Sequence, residues 1–141
     1  MSKVVKLPEG DLHDLWNCAY DAAPIPTQLY ILEVLPGKVK GPHCHTARVS
    51  RFVCLHGRVL LIMRDKQMTY TGVWLDGRIH NVATVPCNVA AALYNFGQPT
   101  AEVLNFPHGT PWSPSYDDRV PVGGWDPSAF LDKWDLEVIP K

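Results

Sequence analysis

The sequence predicts an all-β protein, an antiparallel barrel or sandwich with a short helix at each end. Strand-length apolar runs recur through the middle of the chain, and clusters of Pro, Gly, Asn and Asp separate them. Helical periodicity, by contrast, is confined to two short stretches near the termini.

Taken in order, residues Glu9 to Ala23 are expected as the first helix, with Leu12, Leu15, Trp16 and Ala19 at helical spacing and Pro24 and Pro26 ending it. Strands are expected at Gln28–Leu35, Arg48–Leu55, Arg58–Asp65, Met68–Leu75, Arg78–Val85, Val89–Asn95 and Ala101–Phe106. Between them lie Pro36-Gly37, His56-Gly57, Asp76-Gly77, Pro86-Cys87-Asn88 and Gly97-Gln98-Pro99. Asp76-Gly77 reads as a two-residue type I′ hairpin, a turn that needs positive φ twice. After Phe106 the run through Pro107, Pro111 and Pro114 cannot be a central strand, because proline lacks the N–H donor. It reads as a long loop, followed by a helix with Asp126 at the cap, Pro127 at the first position and 129–134 as its body. The expected organisation is one domain over 1–141, with the barrel at about 28–106 and an aromatic, proline-rich tail over 107–141.

Composition bounds the function. Hydrophobic residues make up 46% and charged residues 19%, with a formal net charge of −1. Such a chain is globular, and its near-neutral balance argues against nucleic acid or an anionic membrane as its main partner. No apolar run approaches the roughly 20 residues of a membrane span. The N-terminus carries no signal-peptide core, so the cytoplasm is the expected location. Cys18, Cys44, Cys54 and Cys87 form no Cys-x-x-Cys unit and read as free thiols.

The chemistry concentrates in Gly37 to Gly57, where Gly41-Pro42-His43-Cys44-His45 leads into an apolar strand closing on His56-Gly57. Histidines at i and i+2 on an extended segment project to one side. Such a pair can ligate a metal or move a proton. Alternation continued from there sends Arg48, Ser50, Phe52 and Cys54 inward, and Val89, Ala91, Leu93 and Asn95 likewise. Arg48 is then an interior cation that needs an anion, whether a ligand's or a buried carboxylate. His13, His80 and His108 show no partner pattern and read as surface or structural.

The stretch Gly37-x5-His43-x-His45 resembles the first half of the cupin motif, and Pro86-x-Asn88 through Asn95 resembles the second. The resemblance implies a cupin-type jelly roll. Two positions depart from it: Ser50 stands where metal cupins carry an acidic ligand, and Ala91 where they carry a histidine. No cofactor is therefore expected; if a divalent metal is taken, His43 and His45 are its ligands.

Within the cupins the chain is most similar to the dTDP-4-dehydrorhamnose 3,5-epimerases and the dTDP-4-keto-6-deoxyhexose 3,4-ketoisomerases. The likeness rests on Gly41-Pro42-His43-Cys44-His45, on Val85 to Val89 with Tyr94-Asn95-Phe96-Gly97, and on Leu104 to Pro107 with the tail from Trp112 to Pro121. It implies proton transfer next to the ketone of a nucleotide-linked 4-keto sugar, with His43 as base and His45 orienting it, acting as second acid/base, or ligating. Arg48, Asn95, Trp112 and Tyr116 are the expected substrate-binding residues. Trp112 and Tyr116 also fit plain packing at the barrel mouth. The tail tyrosine that serves the epimerases as general acid would fall at Trp112, and their lysine at Ser50. A homodimer is expected, since members of the group pair by exchanging or adding edge strands. Two other readings compete: a metal-dependent small-molecule cupin using His43 and His45, and a non-catalytic sugar- or nucleotide-binding cupin.

Overall fold

The structure, a computed structural model, describes residues 3–18, 24–97, 99–111 and 113–134. It contains β1 (Lys3–Val5), β2 (Leu12–Asp14), β3 (Tyr30–Val34), β4 (Val39–His45), β5 (Arg48–His56), β6 (Arg58–Arg64), β7 (Tyr70–Asp76) and β8 (Val82–Val85). They are followed by β9 (Ala90–Tyr94), β10 (Ala101–Asn105), β11 (His108–Gly109), β12 (Arg119–Val120) and one helix, α1 (Ser128–Asp132).

Two antiparallel sheets face each other. One runs β11-β5-β10-β3, with β8 also on β5; the other runs β12-β4-β9-β6-β7. Their inner faces meet in a core built from Val34, Phe52 and Cys54 on one side and Val59, Leu61, Leu75 and Leu93 on the other. Strand β6 shows why the sequence reads as a continuous apolar run there. Val59 and Leu61 enter this core, while Leu60 and Ile62 turn outward against Trp74, Tyr94, Trp125 and Phe130. The C-terminal segment thus covers the second sheet's outer face, and β6 is buried on both sides. The expected start of α1 is displaced by one residue: Pro127, not Asp126, is its N-cap and makes no side-chain cap bond, while Asp126 Oδ1 accepts the Ser128 N–H at 3.1 Å from just ahead of the helix.

The expected N-terminal helix is corrected over its described part. Gly10 N donates to Leu7 O in a turn, Gly10 sits at φ 141°, and β1 pairs antiparallel with β2. That φ lies outside helical space, and Leu12, the first residue of the supposed apolar stripe, is exposed. Residues 19–23 of the same stretch lie outside the described residues. The Asp76-Gly77 hairpin is corrected as well, because β8 pairs with β5 in the opposite sheet and not with β7. Ile79 N and His80 N both donate to Asp76 O, at 3.1 and 3.0 Å, and the chain crosses between sheets here. Gly77 is required for a different reason: a Cβ there would meet the His56 backbone at 2.9 Å. No helix among the described residues is long and apolar enough to cross a membrane.

Candidate active site

A cavity of about 550 Å³ lies between the sheets. Its walls come from β3 (Tyr30, Leu32), β4 (Lys40, His43, His45), β5 (Arg48, Ser50, Phe52), β9 (Ala91, Leu93), β10 (Asn105) and β12 (Arg119). Strand β4 carries both histidines inward as the alternation requires, and adds Lys40, which plain alternation from His43 would send outward. The difference is a bulge. The β4–β9 register shifts between Lys40 and His43, at Gly41-Pro42. Gly41 sits at φ 106°, and a Cβ there would lie 2.7 Å from Ala91 O, so only glycine lets the strands approach this closely.

The two motif departures line this same cavity. Ser50 is buried beside the pocket, and Ala91 is the β9 residue directly opposite His43 in register. Among the described residues no three His, Cys, Asp or Glu side chains form a group able to hold a metal.

What stands beside the histidine pair is a carboxylate from the tail. Strand β12 pairs with β4, Arg119 opposite His45, and this places Asp118 against the His45 ring. His45 Nδ1 lies 2.7 Å from Asp118 Oδ1, and Asp118 Oδ2 accepts the Ala47 N–H at 2.9 Å. The Asp118 side chain is 1% exposed. Burial works to raise its pKa, but the hydrogen bonds from His45 and Ala47 outweigh it and hold the carboxyl below its ordinary value. An ionised Asp118 takes the Nδ1–H and leaves Nε2 as the basic nitrogen of His45. His43 is exposed at the cavity. Partial desolvation, then the Arg119 charge, lower its pKa and favour the neutral imidazole.

Three cations line the cavity. Arg119 is tethered by Asp117, with Nε 2.8 Å from Oδ2, and Lys40 is exposed. Arg48 is the unusual one. It is 4% exposed, its Nη1 approaches the Tyr30 hydroxyl at 3.4 Å, and its Nε and Nη2 are buried with no hydrogen-bond partner among the described residues. A buried guanidinium left partly unpaired is costly; the charge of buried Asp118 interacts with it, and its remaining donors can hold an oxygen-rich ligand.

Of the residues expected from sequence, His43, His45 and Arg48 converge on the cavity. Asn95 does not line it. Its Nδ2 donates to Val34 O and Pro99 O and its Oδ1 accepts Gly97 N–H, so it ties a turn. Tyr116 is exposed in a tail turn closed with Ser113 and does not line the cavity, and Trp112 lies outside the described residues. Lys40, Tyr30, Asn105, Asp118 and Arg119 were not singled out by sequence. Only the acidic stretch ahead of Arg119-Val120-Pro121 carried a signal, through its likeness to the epimerase tail.

The fold recurs in solved structures of low sequence identity. ChmJ, a 3'-monoepimerase from Streptomyces bikiniensis solved with dTDP-quinovose, superposes with a TM-score of 0.73 at 15% identity, covering 99% of this chain and 75% of that one. A dTDP sugar isomerase from Desulfovibrio desulfuricans gives 0.71 at 20% identity, covering 88% and 83%. The capsular polysaccharide assembling protein CapF from Staphylococcus aureus gives 0.63 at 18% identity, and the chain, 69% of it aligned, spans only 26% of CapF. These likenesses show the cupin jelly roll. None of the curated proteins is a detectable sequence relative. The sequence profile described as WxcM-like, C-terminal (FdtA) matches residues 12–107, most of the chain, and the protein belongs to that family.

Proposed function

We propose that this chain is a nucleotide-sugar isomerase or epimerase that moves a proton at the carbon next to the ketone of a 4-keto sugar. The observation that carries the reading is the Asp118–His45 hydrogen bond at the wall of a cation-lined cavity. The family resemblance gave the base role to His43. The orienting carboxylate belongs to His45, and we assign the base to His45 with His43 as the second acid/base.

The chemistry then follows. His45 Nε2 takes the proton from the C–H bond beside the ketone. The C–H electron pair forms a C=C bond, and the carbonyl π pair moves onto oxygen. Arg48, Lys40 and Arg119 supply positive charge for the enolate and for a diphosphate. Return of a proton to the opposite face of the same carbon inverts it; return to the former carbonyl carbon, with the neighbouring hydroxyl losing its proton, moves the ketone. The dTDP-sugar proteins among the structural neighbours support a nucleotide-linked substrate as the first class to try.

The test is ligand-induced stabilisation. A dTDP-linked sugar should raise the melting temperature in the presence of EDTA as much as in its absence. At 100 times Kd, a ligand adds about 2.7 kcal/mol. Stabilisation by divalent metals alone would favour the metal-dependent reading, and no response to any nucleotide sugar would contradict the proposal.

A further inference from the structure

Two histidines outside the cavity are brought against one another. His13 stands on β2, opposite Val4 in the hairpin register, and His80 stands on the crossover between β7 and β8. Their ring centroids are 4.5 Å apart, with the planes tilted by 59°. The Nδ1 atom of each ring is buried and has no hydrogen-bond partner among the described residues. Whether it carries a hydrogen or a lone pair, such a nitrogen has a bonding capacity left unmet, which is costly in a buried place. Neither ring lines the cavity that His43 and His45 line.

The turn around His80 holds its ring in place. His80 sits at φ 53°, its backbone N–H donates to Asp76 O at 3.0 Å, and Asn81 Nδ2 beside it donates to Trp74 O at 2.8 Å. A non-glycine residue keeps left-handed geometry where its surroundings over-determine it. The β1–β2 hairpin that carries His13, by contrast, forms a two-stranded sheet of its own.

We propose that His13 and His80 form a site for one divalent transition-metal ion, joining the N-terminal hairpin to the barrel. One ion accepting both Nδ1 lone pairs satisfies both buried atoms at once. With each nitrogen about 2.0–2.1 Å from a shared ion, the ring centres fall roughly 4.5 Å apart at a ligand angle of about 90° and roughly 5 Å apart at a tetrahedral one. The observed separation lies at the first of these, which favours nickel or copper over zinc. No third His, Cys, Asp or Glu joins the pair among the described residues, so water completes the coordination. The site stands independently of the function proposed above.

The probe is the metal alone. The full chain, cleared of metal with EDTA and desalted, is titrated with nickel chloride by calorimetry. A His43→Asn/His45→Asn variant removes the competing pair while leaving an N–H for Asp118. Wild type and this variant should each bind one equivalent at the same strength. Adding His13→Ala or His80→Ala should weaken that binding by about 100-fold or more, since an outer-shell change alone costs 10–100-fold. Absence of binding by the wild type overturns the proposal, as does binding that survives either added substitution. Binding lost in a folded His43→Asn/His45→Asn protein puts the ion in the cavity and overturns it too. Copper provides a readout that needs neither alanine variant. At one equivalent of Cu²⁺, the His43→Asn/His45→Asn protein should show electron-spin coupling to two imidazole nitrogens, and coupling to one or none overturns the proposal.

Discussion

His45 and Asp118 are 73 positions apart in the chain and 2.7 Å apart in space. The contact exists because the tail returns along β4 as β12, and it orients one of two similar histidines and fixes its tautomer, as the proposed base requires. Asp118→Asn should therefore lower kcat by about 10²–10⁴-fold with little change in KM. Steady-state kinetics check this, and a loss confined to KM would contradict it.

Acid stability should follow the carboxylates. Asp76 lies below its ordinary value of 3.8 chiefly because Arg78 hydrogen-bonds it. Asp118 lies below 3.8 despite its burial, through His45 and Ala47. Both bind a proton more weakly folded than unfolded. Their stabilisation is thus fully present above the unfolded value and is lost as pH falls through the folded values. A melting-temperature series taken down to about pH 2 should fall steeply for the wild type and less steeply for Asp76→Asn/Asp118→Asn. Equal slopes would contradict the assignment.

Arg48 should trade stability for binding. Its unpaired Nε and Nη2 make Arg48→Met neutral or stabilising in the free protein, by up to a few degrees in melting temperature (about 2–8 °C per kcal/mol). The shift produced by a nucleotide sugar should shrink at the same time. A destabilised variant with undiminished ligand response would show that Arg48 serves the fold alone.

Strand β3 ends its sheet, and Leu29, Ile31 and Leu35 around it are exposed. An apolar edge that no described residue pairs is where a second copy can add. Sedimentation at micromolar concentration should give a dimer, and Ile31→Lys should shift it toward monomer. A wild-type monomer would reject this pairing.

The strands of the barrel were legible because their period-two pattern is local and the core enforces it. Phe52, Cys54, Val59, Leu61 and Leu93 all face inward. His43 and His45 were legible for the same reason. Lys40 was hidden by a bulge of one extra residue that no alternation predicts, and Asp118 by a pairing between strands more than 70 positions apart. The described part of Glu9 to Ala23 misled because helical spacing over so short a stretch is weak evidence, and Gly10 breaks it first.

Proton transfer beside a ketone by His45 is open to direct test. Incubating the protein in D₂O with a dTDP-linked 4-keto-6-deoxy sugar, and following the substrate by NMR, tests it most directly. Deuterium should appear at the carbon next to the ketone, in EDTA as well as without it, and should be lost in His45→Ala. Absence of exchange in the wild type, or exchange undiminished in His45→Ala, would contradict it.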